Sequence, residues 1–219
     1  MKFSAAALLF DMDGTLLSSM TSVIRCWTRW AEEYGIGADD FARIELHGRP
    51  AAEIVGELVP AGSVAGAVAR IEELEVEDVG GGGVVLLPGT EALLRSLPEG
   101  SWAVVTSATR VLAEARLRQT GLSGTGAPLL VAADDVTRGK PDPEPFLLAA
   151  GKLGADPERC VVFEDAPAGL RAGRAAGMRT VGLATTHERS ELRADVLVDD
   201  LSAVSARAAG AGVEITAGE

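Results

Sequence analysis

Cysteine is scarce in this chain of 219 residues: only Cys26 and Cys160 occur, far apart. They supply neither a disulfide framework nor the paired spacing of a zinc motif. Cys160 also stands in an apolar, strand-like run, so both read as reduced, buried thiols. Positive charge is short as well. Lys and Arg number 20 against 32 Asp and Glu, giving a formal charge of −12 without any basic cluster. Such a surface repels a nucleic-acid backbone, and no nucleic-acid partner is expected. No uncharged apolar run reaches the length of about eighteen residues that a transmembrane helix needs, so no membrane partner is expected either. Residues 1–10 hold one lysine and a short apolar run, but Asp11 and Asp13 follow at once, where a secretion signal would continue apolar. A cytoplasmic location is the resulting expectation.

What is present is ordinary globular composition, 47% hydrophobic and 24% charged. The length suits one doubly wound α/β domain, alone or with a smaller inserted module. Short apolar runs at 5–10, 102–106, 129–132 and 160–163, with others at 180–183 and more weakly at 196–198, read as strands buried on both faces of a parallel sheet. Helical patterns at 91–97, 111–120, 145–153 and 169–176 are long enough to cross over between them. In an open sheet of this kind, ligands bind beyond the carboxyl ends of the strands.

Residues 18–87 break the alternation. Val23, Trp27, Trp30 and Tyr34 recur at three- and four-residue spacing, and Val64, Val68 and Ile71 repeat the pattern. Each set marks one apolar helix face, and together they predict a small helical cap inserted into a core formed by 1–17 and 88–219. The two tryptophans read first as cap packing rather than as a substrate-stacking surface. The glycine run at 80–83 follows no strand and reads as a flexible connection back to the core.

Four features stand where chemistry is expected, just after the apolar runs. Asp11 and Asp13 close the first; two residues apart on extended chain, their side chains point the same way, to hold a hard cation or to divide nucleophile from proton donor. Thr106, Ser107, Ala108 and Thr109 close the second and offer hydroxyls and N–H groups to a phosphate, or simply cap the next helix. Lys140 sits in a frame of Gly139, Pro141 and Pro143, able to neutralise an anion or to be a plain surface charge. Glu164 and Asp165 close the run at 160–163; a cation shared with Asp11 and Asp13 would relieve their mutual repulsion, whereas the bland alternative is helix capping by Asp165.

In this order these features resemble the four motifs of the haloacid dehalogenase superfamily: Phe10, Asp11, Met12, Asp13, Gly14 and Thr15 the first, Ser107 the second, Lys140 the third, and Glu164 with Asp165 the fourth. The resemblance spans nearly the whole core. It is closer still to the subgroup of sugar, glycerol and 2-deoxyglucose-6-phosphate phosphatases with a helical cap after the first motif. Within the cap it rests on His47 and Gly48 alone.

The resemblance implies a Rossmann-like core and a Mg²⁺-dependent phosphatase. Asp11 would be the nucleophile, and Asp13 the group that protonates the leaving alcohol and then activates water. Asp11, the Asp13 backbone carbonyl and Asp165 would bind Mg²⁺, with Glu164 as ligand or supporting partner. Ser107, the Ala108 N–H and Lys140 would hold the phosphoryl group. His47, Arg49, Thr109 and Arg110 are candidates for the organic part of the substrate. The expected partner is a small phosphorylated metabolite, a sugar or polyol phosphate, acted on by a monomer or small homo-oligomer. Two departures narrow this: Val23 stands where related β-phosphoglucomutases carry a histidine, and Ser18 where many phosphoglycolate phosphatases carry an acid. A phosphosugar mutase and a catalytically idle binding protein are the alternatives.

Overall fold

The structure is a computed structural model describing residues 1–41, 43–44, 46, 50–124, 129–210 and 212–218. The chain opens with β1 (Lys2–Ala5) and β2 (Ala7–Phe10), followed by β3 (Leu17–Ser18). Helices α1 (Met20–Glu33), α2 (Ala38–Phe41), α3 (Ala51–Leu58) and α4 (Val64–Asp78) come next, and β4 (Val85–Leu86) returns the chain beside β3. Then follow α5 (Thr90–Ser96), β5 (Trp102–Val105), α6 (Arg110–Gln119), β6 (Leu129–Val131), α7 (Glu144–Lys152) and β7 (Cys160–Glu164). The chain continues through α8 (Pro167–Ala175), β8 (Arg179–Leu183), β9 (Val196–Val198), β10 (Val204–Ala209) and β11 (Gly212–Ala217). No described helix is long and apolar enough to cross a membrane.

Six strands form the expected parallel sheet in the order β6, β5, β2, β7, β8, β9. The side-chain period of two divides its residues between two apolar layers. Leu8, Phe10, Val104, Phe163 and Val181 face one way, toward Leu93, Ala113 and Leu117 of α5 and α6. Ala7, Leu9, Ala103, Val105 and Val162 face the other, toward Phe146, Ala149 and Ala172 of α7 and α8. Phe10 and Phe163 stack across neighbouring strands with centroids 4.6 Å apart.

The run at 5–10 is not one strand. Ala6 leaves the ladder and donates its N–H to the Arg159 carbonyl at 2.7 Å. On one side of it β2 lies in the parallel sheet; on the other, β1 joins β10 and β11 in a separate antiparallel sheet. That small sheet, with Phe3, Val213 and Ile215 inward, packs on the α5 face of the core.

Residues from α1, α3 and α4 build a third apolar cluster around Trp27, Trp30, Ile54, Val55, Ile71 and Leu74. Trp30 is fully buried and its indole N–H donates to the Ala67 carbonyl at 2.8 Å, joining α1 to α4. Both strands between the helices and the large sheet, β3 and β4, run antiparallel with Leu17 opposite Leu86. The segment at 80–83, read from sequence as a free connection, is tied down at one point: Gly82 O accepts from Arg25 Nη2 at 2.7 Å, and the same guanidinium grips Asp78.

Candidate active site

The parallel register carries Asp11 and Glu164 to the same rim. Phe10 pairs with Phe163, so the residues that follow on β2 and β7 emerge side by side. One carboxylate oxygen from each of Asp11, Glu164 and Asp165 lies within 4.8 Å of the others, and all three residues are buried. Lys140 enters the cluster from the loop before α7. Its ammonium donates to Asp11 Oδ1 at 2.5 Å, to Glu164 Oε1 at 2.8 Å and to the Val105 carbonyl at 2.8 Å.

Three buried carboxylates against one ammonium leave negative charge in a desolvated place. Burial, with repulsion from Glu164 and Asp165, holds the Asp11 carboxyl well above the ordinary range despite the pull of Lys140. Glu164 is raised for the same reasons, burial first, again against Lys140. Burial presses the Lys140 ammonium down, and the Asp11 and Glu164 carboxylates outweigh it, so its pKa rises. An all-oxygen, acidic and buried donor set of this kind fits a hard divalent cation.

Two glycines let the carboxylates stand where they do. Gly14 has φ +86°, and a Cβ there would lie 2.1 Å from Asp165 Oδ2. At Gly169 on α8, a Cβ would lie 1.7 Å from Glu164 Oε1. Asp165 is further held by hydroxyls, from Thr186 to Oδ2 and from Thr15 to Oδ1 at 3.3 Å. Glu164 Oε2 accepts the Ala166 N–H at 2.8 Å.

The Asp13 carboxylate is outside this cluster. Oδ1 accepts from Ser19 Oγ at 2.6 Å and Oδ2 from Arg116 Nη1 at 2.9 Å. Arg116, on α6, is buried and stands 3.7 Å from Glu75 of α4. Burial pushes the Glu75 carboxyl up, against the pull of Arg116.

These groups line a cavity of about 370 Å³ between the sheet rim and the helical segment. Ser107, Ala108, Thr109 and Lys140 form part of one wall; Val23, Trp27, Val68 and Glu75 belong to the other. Ser107 is exposed there, while the Ala108 N–H meets Thr106 Oγ1 at 3.1 Å. Arg110, a sequence candidate for substrate contact, pairs with Asp135 at 2.5 Å and is not among the lining residues. His47 and Arg49, with Gly48, lie outside the described residues. Trp27 is both buried packing and cavity wall.

Sequence reading missed Ser19, Glu75 and Arg116. A signal existed for the last two. On α6, Leu112, Ala113 and Leu117 form a buried stripe into which Arg116 falls; on α4, Glu75 continues the spacing of Val68 and Ile71. A charge interrupting an apolar stripe on each of two helices, with opposite signs, marks a pair that meets.

The family model described as haloacid dehalogenase-like hydrolase matches residues 5–177. Hexitol phosphatase A of Escherichia coli (strain K12) is 38% identical over 80% of this chain and 81% of its own length. Validoxylamine A 7'-phosphate phosphatase of Streptomyces hygroscopicus subsp. limoneus is 38% identical over 90% of this chain and 94% of its own. Among solved structures, CbbY from Rhodobacter sphaeroides in complex with phosphate superposes with TM-score 0.75 at 27% identity, covering 90% of this chain and 95% of that one. The chain belongs to the haloacid dehalogenase-like hydrolase family and is a phosphoric monoester hydrolase of its sugar phosphatase subgroup.

Proposed function

We propose that the protein is a Mg²⁺-dependent phosphatase of a small sugar or polyol phosphate, working through a phosphoryl group carried on Asp11. The observation that bears most weight is the Lys140 ammonium lying between Asp11 and Glu164, at the edge of a three-carboxylate cluster that faces a cavity. Two relatives support the substrate class, one a hexitol phosphatase and the other a validoxylamine A 7'-phosphate phosphatase.

Asp11, Asp165 and the Asp13 backbone carbonyl would hold Mg²⁺, with Glu164 binding it or supporting Lys140. Bound there, the ion supplies charge stabilisation to phosphoryl oxygens. Lys140 fixes Asp11 Oδ1, leaving Oδ2 to attack phosphorus. Ser107, the Ala108 N–H and the Lys140 ammonium gather the transferring oxygens, the Ala108 amide exchanging Thr106 Oγ1 for phosphate. Asp13, steadied by Ser19 and Arg116, gives its proton to the departing alcohol and takes one from the water that releases phosphate.

Segment 18–87 acts as the cap over a core of 1–17 and 88–219, excluding bulk water while the ester breaks. Hydrolysis is preferred to transfer between hydroxyls because Val23, on the cap wall of the cavity, carries no proton-transferring group. Filled catalytic positions likewise favour an enzyme over an idle binding protein. A phosphate-release screen over phosphomonoesters, with and without Mg²⁺, tests the reading together with Asp11→Asn. The expected outcome is Mg²⁺-dependent release by the natural chain and background release by the variant; an unchanged rate in Asp11→Asn would defeat the nucleophile assignment.

A further inference from the structure

The proposed chemistry leaves one group partly unused. Arg116 is 4% exposed, and its guanidinium spends a single N–H, from Nη1, on Asp13. Its Nε and Nη2 are buried and make no hydrogen bond among the described residues. Nη2 lies 3.7 Å from Glu75 Oε2, too far for a direct bond. Unpaired donors on a buried charge are costly, and beside a cavity a bound molecule can complete the set. Arg116 lines the cavity, as does Glu75.

The location says what that molecule offers. Arg116 touches the carboxylate assigned to the leaving oxygen, so its neighbours meet the organic part of the substrate. A donor and an acceptor 3.7 Å apart suit a group that can accept from one and donate to the other, which a hydroxyl does. An anionic substituent suits Arg116 alone and meets Glu75, Glu72 and Asp134 on the same cavity lining. Resting on the phosphatase reading, we propose that Arg116 and Glu75 form a hydroxyl-reading subsite, selecting neutral polyol phosphates over hydroxyl-free monoesters and over substrates with a second anionic group.

Glycerol 1-phosphate and propyl phosphate differ in their hydroxyls and share the ester, so they isolate the effect. The ratio of their kcat/KM values is expected to exceed tenfold for the natural chain, because a site built to bond a hydroxyl discriminates strongly against its absence. Glu75→Leu removes the acceptor and should bring that ratio down about tenfold, while Glu75→Gln, which keeps an acceptor oxygen, should retain part of it. Both substrates read the same enzyme sample, so a loss of folded protein cancels from the ratio. A natural chain that hydrolyses both equally, or a Glu75→Leu protein that loses both in step, overturns the subsite and leaves the phosphatase reading standing. Absence of phosphate release from every ester defeats the phosphatase reading instead. The subsite is then decided by calorimetry on the Asp11→Asn protein, where equal affinity for the two esters overturns it and tighter binding of the glycerol ester upholds it.

Discussion

Lys140→Met removes one charge and keeps an unbranched stem against Phe146, whose ring lies 5.2 Å from the ammonium. Asp11 and Glu164, whose carboxylate oxygens lie with one of Asp165 within 4.8 Å of one another, then lose the counter-charge they share. At an effective dielectric constant of about 20, two unit charges at that spacing repel by roughly 3–4 kcal/mol. Uptake of protons caps the cost, and breaking a buried ion pair typically destabilises by about 3–5 kcal/mol. For a chain of 219 residues each kcal/mol moves Tm by about 2–4 °C, so metal-free Tm should fall by about 6–20 °C.

The dependence on pH has a definite sign. A carboxyl whose folded pKa is raised contributes stability that is present below its unfolded pKa and lost as pH rises through the folded value. Asp11 and Glu164 are both raised, burial being the main cause, and Lys140 is the group that pulls them back. Without it they rise further, so the Tm deficit of the variant should widen as pH rises above the ordinary carboxylate range. On the proposed reading Mg²⁺ binds the folded form alone, and it should then raise the Tm of the variant more than that of the natural chain. Melting followed by circular dichroism, in EDTA and in Mg²⁺ at several pH values, measures all three effects. A Tm in EDTA equal to that of the natural chain at every pH would mean that the carboxylates do not feel one another, and the cation site would fall with that result.

Gly169→Ala should raise the Mg²⁺ concentration needed for activity by about tenfold or more, since overpacking forces the neighbour aside: a Cβ 1.7 Å from Glu164 Oε1 drives that carboxylate off Lys140 and the Ala166 N–H. An unaltered Mg²⁺ requirement in the folded variant would contradict this. Burial pushes both cysteine thiols up to about 11, so at pH 8 only about one in a thousand is thiolate. A thiol-specific disulfide reagent should leave the native protein unmodified and titrate both cysteines in denaturant; rapid modification of the native chain would show that Cys26 or Cys160 is accessible.

Period and position made the core legible. Continuous apolar runs marked the central strands because each is buried on both faces, and polar residues at their carboxyl ends marked Asp11, Ser107 and the Glu164 and Asp165 pair, while Lys140 was marked by its frame of glycine and prolines. The sequence reading failed where this signal is absent. In an Ala- and Gly-rich stretch, β10 buries only its first residue and β11 alternates buried with half-buried or exposed ones, giving a weak contrast. The division of 5–10 at Ala6 depends on pairing with Arg159, a contact between distant residues that no local pattern encodes. Arg116 and Glu75 were passed over because each alone reads as a solvated helix charge.

The remaining information lies in strand order, which decides which motifs become neighbours. β2 runs between β5 and β7, so Asp11 has Ser107 toward one side and Glu164 with Asp165 toward the other, although more than ninety residues separate Asp11 from the nearer of these in sequence. Were β5 and β7 exchanged with β6 and β8, each run would still end in the same polar residues and the apolar pattern would be unaltered. The carboxylates would then stand apart by an extra strand spacing of about 4.7–4.9 Å. That displacement is comparable with the 4.8 Å within which the three oxygens now gather, and is enough to keep them from forming one donor set. The cluster therefore follows from topology as much as from residue type. Its electrostatic cost is offset by Lys140, which reaches Asp11 and Glu164 together because β2 and β7 are adjacent.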